Sequence, residues 1–201
     1  MRVAIIGGGD SRLDAPFEDR GIEIWGVNNC YRDLPRVDRW FEIHPVFTDG
    51  QRWYRRGLTE FRGISVDRYL QELDALNVPV YVQHPITLIR RSTAYPLQEI
   101  LAAFHRKYFT SSVSYMIALA LHLGAKEIYL YGINMATNEY HLQRPSAEYW
   151  IGRAEGLGVK VAIPETSSLL NDPLYGFGEL AQSNMQYLKK WALSQIKKEG
   201  D

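Results

Sequence analysis

Four apolar residues, Val3, Ala4, Ile5 and Ile6, run without interruption into Gly7, Gly8 and Gly9. Such a run is expected where helices cover both faces of a parallel strand. Short runs of this kind alternate along the chain with longer stretches of helical period, the pattern of a doubly wound sheet. Residues 22–27 and 37–43 predict the second and third strands. Residues 67–76 predict a helix capped by Ser65, residues 78–82 a strand that tolerates Pro79 near its start, and residues 96–104 a helix opened by Pro96. Thr110, Ser111 and Ser112 offer three caps before an apolar helix over 113–123, which Gly124 closes. Two further strands are predicted at 126–133 and 159–163, with a helix over 146–157 between them. An amphipathic helix over 180–198, with lysines toward its end, follows. The expected architecture is α/β: a doubly wound, mostly parallel sheet with helices on both faces, forming one domain over 1–201.

Composition changes this picture little but excludes several classes. Hydrophobic residues make up 46% of 201, enough for one substantial core. Lys plus Arg and Asp plus Glu both number 23, so no global basic field advertises nucleic acid or an anionic membrane. A local patch at Arg52, Arg55 and Arg56 is compatible with that balance. The one cysteine, Cys30, excludes an intrachain disulfide framework and suits a reducing compartment. No stretch approaches the roughly 18 apolar residues of a membrane span, and the N-terminus enters a strand directly. The expectation is a cytoplasmic protein without membrane or nucleic-acid partners.

The candidate chemistry gathers where strands end and helices begin, the place where open α/β sheets bind ligands. Gly7, Gly8 and Gly9 permit positive φ and close approach of a ligand, and Ser11 is positioned to cap a following helix whose free N–H groups attract anions. The spacing is not G-x-G-x-x-G, and Asp10 adds a negative charge to the loop. Asn28 at the tip of the second strand is suited to a base or ribose, or to closing a turn. Thr110, Ser111 and Ser112 are suited to a phosphate or carboxylate, or to capping a buried helix. His44 shares a side of the third strand with Glu42, an arrangement for a general base or a structural hydrogen bond. His141 lies in the polar stretch 138–145, of the kind that covers sites. His122, inside the apolar helix, reads as packed or surface-exposed. No histidine or carboxylate spacing suggests a metal cage.

Taken in order, Gly7 to Ser11, Gly26 to Tyr31, Thr110 to Met116 and Leu123 to Asn134 resemble motifs of the bacterial CMP-sialic-acid-dependent sialyltransferases. They are also similar to the hydroxymethylpterin diphosphokinase-like superfamily. In those families a G-x-G-P-S loop precedes an Asn after the second strand, then T-S-G opens a helix, then L-G-x-K-E-I-x-L-x-G-x-D follows. The stretches around Thr110, Gln143 to Ser146 and Glu148 to Gly152 also look like small proteins of tailed phages, which would place the chain in the cytoplasm of a bacterial host.

This resemblance implies a Rossmann-like nucleotide-binding domain. Gly7, Gly8, Gly9, Ser11, Asn28, Thr110, Ser111, Ser112 and Asn134 would then hold a nucleotide or nucleotide sugar as donor. The chain departs from the pattern where it has Gly8, Asp10, Ser112 and Asn134. One of the paired tyrosines that steady the leaving phosphate aligns with Ala136, which leaves Tyr140, assisted by Arg144. Tyr149 stands near the place of the histidine base, and an ordinary tyrosine is a poor base at neutral pH. His44 or His141 would therefore deprotonate the acceptor. Two classes follow: a glycosyl- or diphosphoryl-transferase using a nucleotide-activated donor, or a non-catalytic nucleotide binder. A structural protein on the same fold is the third reading. Mg²⁺ would be required only for diphosphoryl transfer. The C-terminal helix faces could support a homo-oligomer.

Overall fold

The computed structural model describes residues 1–44, 60–61, 64–137, 140–171 and 174, with the backbone alone at 60–61. Met1–Leu169 form one compact unit and Leu170–Asp201 are a second. All the strands and helices named below belong to the first unit, and the helix expected over 180–198 lies outside the described residues.

In chain order the elements are β1 (Arg2–Ile6), β2 (Ile22–Val27), β3 (Arg39–Glu42), β4 (Glu60–Phe61), β5 (Ile64–Ser65), α1 (Val66–Ala75), β6 (Val80–Val82), β7 (Ser92–Ala94), α2 (Leu97–Phe104), α3 (Ser112–His122), β8 (Glu127–Tyr131), α4 (Arg144–Gly156) and β9 (Lys160–Ala162). Seven strands form one sheet in the order β7-β6-β3-β2-β1-β8-β9, and every neighbouring pair is parallel. β4 and β5 pair antiparallel apart from it. This is the α/β, Rossmann-like open sheet that the alternating pattern predicts.

Strand alternation divides the core between the two faces of the sheet. Val3, Ile5, Trp25, Phe41, Ile128 and Leu130 pack with α2, α3 and α4 on one face. Ala4, Ile6, Ile22 and Ile24 pack with Ala15 and Phe17 on the other, where Trp40, Val80 and Val82 meet Tyr69, Leu70 and Leu73 of α1. β1, with four residues at 0% exposure, has no solvent face. The Trp40 ring crosses β2 at Gly26 so closely that a Cβ there would lie 2.0 Å from it.

The helix starts follow the cap chemistry. Ser65 Oγ accepts from Arg68 N at 3.3 Å and Ser111 Oγ from Ser114 N at 3.2 Å. Gly124 ends the α3 turn at φ +77°. Helix α4 begins at Arg144, two residues ahead of the sequence expectation, because Pro145 fits the first turn. The loop after β1 forms no α-helix: a short 3₁₀ turn, Asp10–Asp14, stands there, without a side-chain cap. β7 is not predicted, since Ser-Thr-Ala is too short and polar to stand out; it is the sheet edge beyond β6. No helix among the described residues is long and apolar enough to cross a membrane.

Strand order reverses at β1. The chain winds outward through β2, β3, β6 and β7, and returns on the other side of β1 through β8 and β9. The carboxyl ends of β1 and β8 therefore flank the crevice where a doubly wound sheet binds its ligand.

Candidate functional site

A cavity of about 820 Å³ lies at this switch point. Its walls come from the strand ends, with Gly7, Gly8 and Gly9 after β1, Asn28, Asn29 and Cys30 after β2, Ile43 and His44 after β3, Gln83 after β6, and Gly132 to Thr137 after β8. The start of α3, from Phe109 to Val113, closes it together with Tyr115, Tyr140 and Gln143.

The glycine-rich wall is an interlock between two strand ends. Gly7 N–H donates to Tyr131 O and Gly9 N–H to Gly132 O, each at 2.8 Å. Gly132 N–H donates to Ser11 Oγ at 2.9 Å. A Cβ on Gly7 would lie 2.5 Å from Gly132 O, and one on Gly9 3.0 Å from it. None of Gly7, Gly8 and Gly9 has positive φ, whereas Gly132 does, at +64°. Gly7 and Gly9 thus serve backbone approach between β1 and β8, and the positive φ that the triplet permits is not used. Ser11 is tied to Gly132 and does not line the cavity, and the turn that follows β1 has no side-chain cap, which corrects the expected place of Ser11 as a helix cap.

At the α3 start the hydroxyls divide their work. Ser111 caps the helix, and its Oγ lies 2.8 Å from Ser114 Oγ, which lies 2.7 Å from Ser146 Oγ at the start of α4. Thr110 N–H and Oγ1–H donate to Ser146 Oγ at 3.1 and 2.7 Å, and Oγ1 also reaches Leu142 O at 2.7 Å. Ser114 and Ser146 are at 0% exposure, so this chain of hydroxyls is a buried fastening between the two helices. Thr110 and Ser111 are consumed in holding the helix start. Ser112 and Val113 also line the cavity, and their first-turn N–H groups have no acceptor inside the helix, an arrangement suited to an anion.

Asn28 has left-handed backbone, φ +61°. Its N–H donates to Phe41 O at 3.0 Å, and its carbonyl accepts from Trp40 Nε1 at 3.1 Å and Tyr69 O–H at 3.2 Å. The side-chain oxygen Oδ1 is buried with no hydrogen-bond partner among the described residues. Asn134 also lines the cavity, but its Oδ1 accepts from Ser168 N at 2.9 Å.

His44 is the one expected base on the cavity wall. Its Nδ1 lies 2.6 Å from Glu42 Oε1, and its own N–H donates to that oxygen at 3.1 Å. His141 is exposed in the turn before α4 and does not line the cavity. Arg144, expected beside a leaving phosphate, pairs with Glu148 at 2.7 Å one helical turn on and is likewise off the wall. Tyr140 lies on it. Tyr149 does not: burial pushes its phenol up, but hydrogen bonds from Arg153 (3.0 Å) and Arg106 outweigh this and hold it below the ordinary tyrosine value.

Several wall residues carry no sequence signal beyond their position. Gln83 directly follows β6, so the strand-end rule would find it. Phe109 and Tyr115, stacked with ring centroids 4.6 Å apart, flank the hydroxyls of Thr110, Ser111 and Ser112 in a mixed stretch that gives the pair no pattern of its own. Among the described residues, no group of three or more His, Cys, Asp and Glu side chains is placed to hold a metal ion.

No family model matches the chain, and no curated protein matches it. Solved structures do. The sialyltransferase CstII in complex with a trisaccharide acceptor and CMP superposes with TM-score 0.54 at 16% identity, over 85% of this chain and 84% of the other. CstII from Campylobacter jejuni with a substrate analogue, CMP-3FNeuAc, gives 0.52 at 16% identity over 85% and 83%. An α-2,3-sialyltransferase from the same organism, in apo form, gives 0.50 at 17% identity over 94% and 95%. At these identities the likeness is one of architecture, and it shows that the chain has a sialyltransferase-like fold.

Proposed function

We propose that the protein is a transferase acting on a nucleotide-activated sugar donor. The observation that carries this reading is the convergence, in one cavity at the switch point of the sheet, of an anion-suited helix start (Ser112, Val113), the unpartnered amide oxygen of Asn28, and the carboxylate-backed imidazole of His44. The volume of about 820 Å³ accommodates a nucleotide sugar. The similar folds hold CMP and a CMP-linked substrate analogue.

In this reading the donor phosphate rests on the start of α3, and the nucleoside lies along Gly7 to Gly9 and Asn28. An N–H or O–H of the ligand supplies the partner that Asn28 Oδ1 lacks. His44 takes the proton of the acceptor hydroxyl, whose oxygen attacks the anomeric carbon. The bond from that carbon to the phosphate oxygen breaks, and the nucleotide leaves as its phosphate anion beside Tyr140 and the helix start.

A thermal-shift panel of CMP, UMP, AMP, GMP, CMP-sialic acid, UDP-glucose and GDP-mannose tests the binding step, since a ligand that binds only the folded chain raises the melting temperature. Release of free nucleotide from a stabilising sugar donor tests the transfer. Stabilisation by a nucleotide with no release from any donor would move the protein to the non-catalytic binder, a reading favoured by the positions of His141 and Arg144 away from the wall. A flat panel would remove both.

A further inference from the structure

Glu42 is at 0% exposure, at the last position of β3. Alternation along the strand puts it on the face of Trp40, where α1 packs, and not on the face of Phe41. A carboxylate withdrawn from water is destabilising unless donors surround it, and a purely structural strand end has no need of one. Here the donors are specific. The Tyr69 O–H, from the middle of α1 and itself at 0% exposure, donates to Oε2, while His44 offers both its backbone N–H and Nδ1 to Oε1 at 3.1 and 2.6 Å. The same Tyr69 hydroxyl reaches Asn28 O at 3.2 Å, so one side chain touches both the carboxylate and the loop carrying Asn28.

The geometry points to Tyr69 and Glu42 as positioning residues, a buried relay that fixes the tautomer and orientation of His44. With Nδ1–H donated to the carboxylate, the lone pair is left on Nε2, the nitrogen on the opposite edge of a ring whose side chain is 41% exposed on the cavity wall. Tyr69 holds Oε2 so that Oε1 stays turned to the ring, and the close bonding of His44 N–H to the same oxygen restricts the ring further. Neither residue touches the cavity; both act through His44. In the transfer step the acceptor O–H proton goes to Nε2, the imidazolium keeps its Nδ1–H on Glu42, and the carboxylate stabilises the charge that forms.

The use of Nε2 as a base rests on the transferase reading; its tautomer does not. The experiment therefore reads the two separately, on the full chain at pH 7. In ¹⁵N-histidine spectra the wild type is expected to show His44 protonated at Nδ1 and bare at Nε2, assigned by loss of the signal in His44→Asn. Tyr69→Phe keeps the ring in its packing and removes one donor, and Glu42→Gln keeps the shape and removes the charge. Both are expected to shift His44 toward a mixture of tautomers. They are also expected to lower kcat for nucleotide release from CMP-sialic acid by about 10- to 100-fold, with KM within about twofold. Unchanged His44 signals in both folded variants would overturn the relay, as would a kcat unchanged from that of an active wild type in both variants. If the wild type releases no nucleotide from CMP-sialic acid, UDP-glucose or GDP-mannose but the tautomer shifts in both variants, the relay stands and the transferase reading falls.

Discussion

The carbonyl oxygen of Gly132 lies 2.5 Å from the point that a Cβ on Gly7 would occupy, and Gly7 O lies 2.6 Å from the corresponding point on Gly132. The two strand ends at the switch point are thus pressed together until neither tolerates a side chain. At Gly8 the nearest heavy atom to an added Cβ is Cys30 Sγ, at 3.5 Å, an ordinary contact. Gly7→Ala should therefore destabilise by about 1–3 kcal/mol through overpacking against backbone. Gly8→Ala should hold stability or raise it by up to about 1 kcal/mol, by restricting the unfolded chain. Thermal melts of the pair decide it; equal losses would mean that the interlock is not what the first glycine serves.

Asn28 allows backbone and side chain to be tested apart. At φ +61° an alanine suffers left-handed strain of about 1–2 kcal/mol, whereas a glycine does not. Asn28→Gly should keep a melting temperature close to that of the wild type and lose most of the thermal shift given by a nucleotide. Asn28→Ala should lose both. A full nucleotide response in Asn28→Gly would place the nucleoside elsewhere.

The architecture is readable in the sequence because burial on both faces writes itself as unbroken apolar runs, as at Val3 to Ile6. The caps at Ser65 and Ser111 are local chemistry, and they stand where the hydroxyls predict. The gathering of Asn28, His44 and Ser112 follows from one rule about strand ends. What the sequence hides is long-range. The reason for Gly7 is a carbonyl 125 positions on, and Ser11 finds its partner there too, which no local pattern records. Thr110 and Ser146, 36 positions apart, meet only because α3 and α4 pack side by side. His141 and Arg144 are equally plausible by residue type, and only the direction in which α4 starts takes them off the wall.

That α3–α4 contact gives a third outcome. Ser146 Oγ accepts from Thr110 N–H and Oγ1–H, lies 2.7 Å from Ser114 Oγ and donates to Gln143 O at 3.2 Å. Ser146→Ala leaves these buried groups short of a partner, at a cost of about 1–3 kcal/mol. In a chain of this size the melting temperature should fall by about 2–4 °C for each kcal/mol. Ser112→Ala should change stability little and weaken binding of CMP more than that of cytidine, because only the former puts a phosphate on the helix start. Equal effects on the two ligands would show that the Ser112 hydroxyl does not contact the phosphate.

The turn Cys30–Asp33, which brings Cys30 to the cavity wall, is fastened to α1 through Glu72. A hydrogen bond from Tyr31 O–H, then those from Arg68 (2.9 Å) and Arg32 (3.2 Å), pull the Glu72 carboxyl down from its ordinary 4.5 to about 2. Because the folded value lies below the unfolded one, the unfolded chain takes up the proton first as the solution is acidified. The stabilisation from this carboxylate is therefore complete above pH of about 4.5 and drains away between there and about 2. Melting temperatures of the wild type and Glu72→Gln should differ by a constant amount from pH 7 to 5 and converge below that, as far as other carboxylates leave the chain folded. A gap that stayed constant down to pH 3 would mean that the fastening owes nothing to the charge on Glu72.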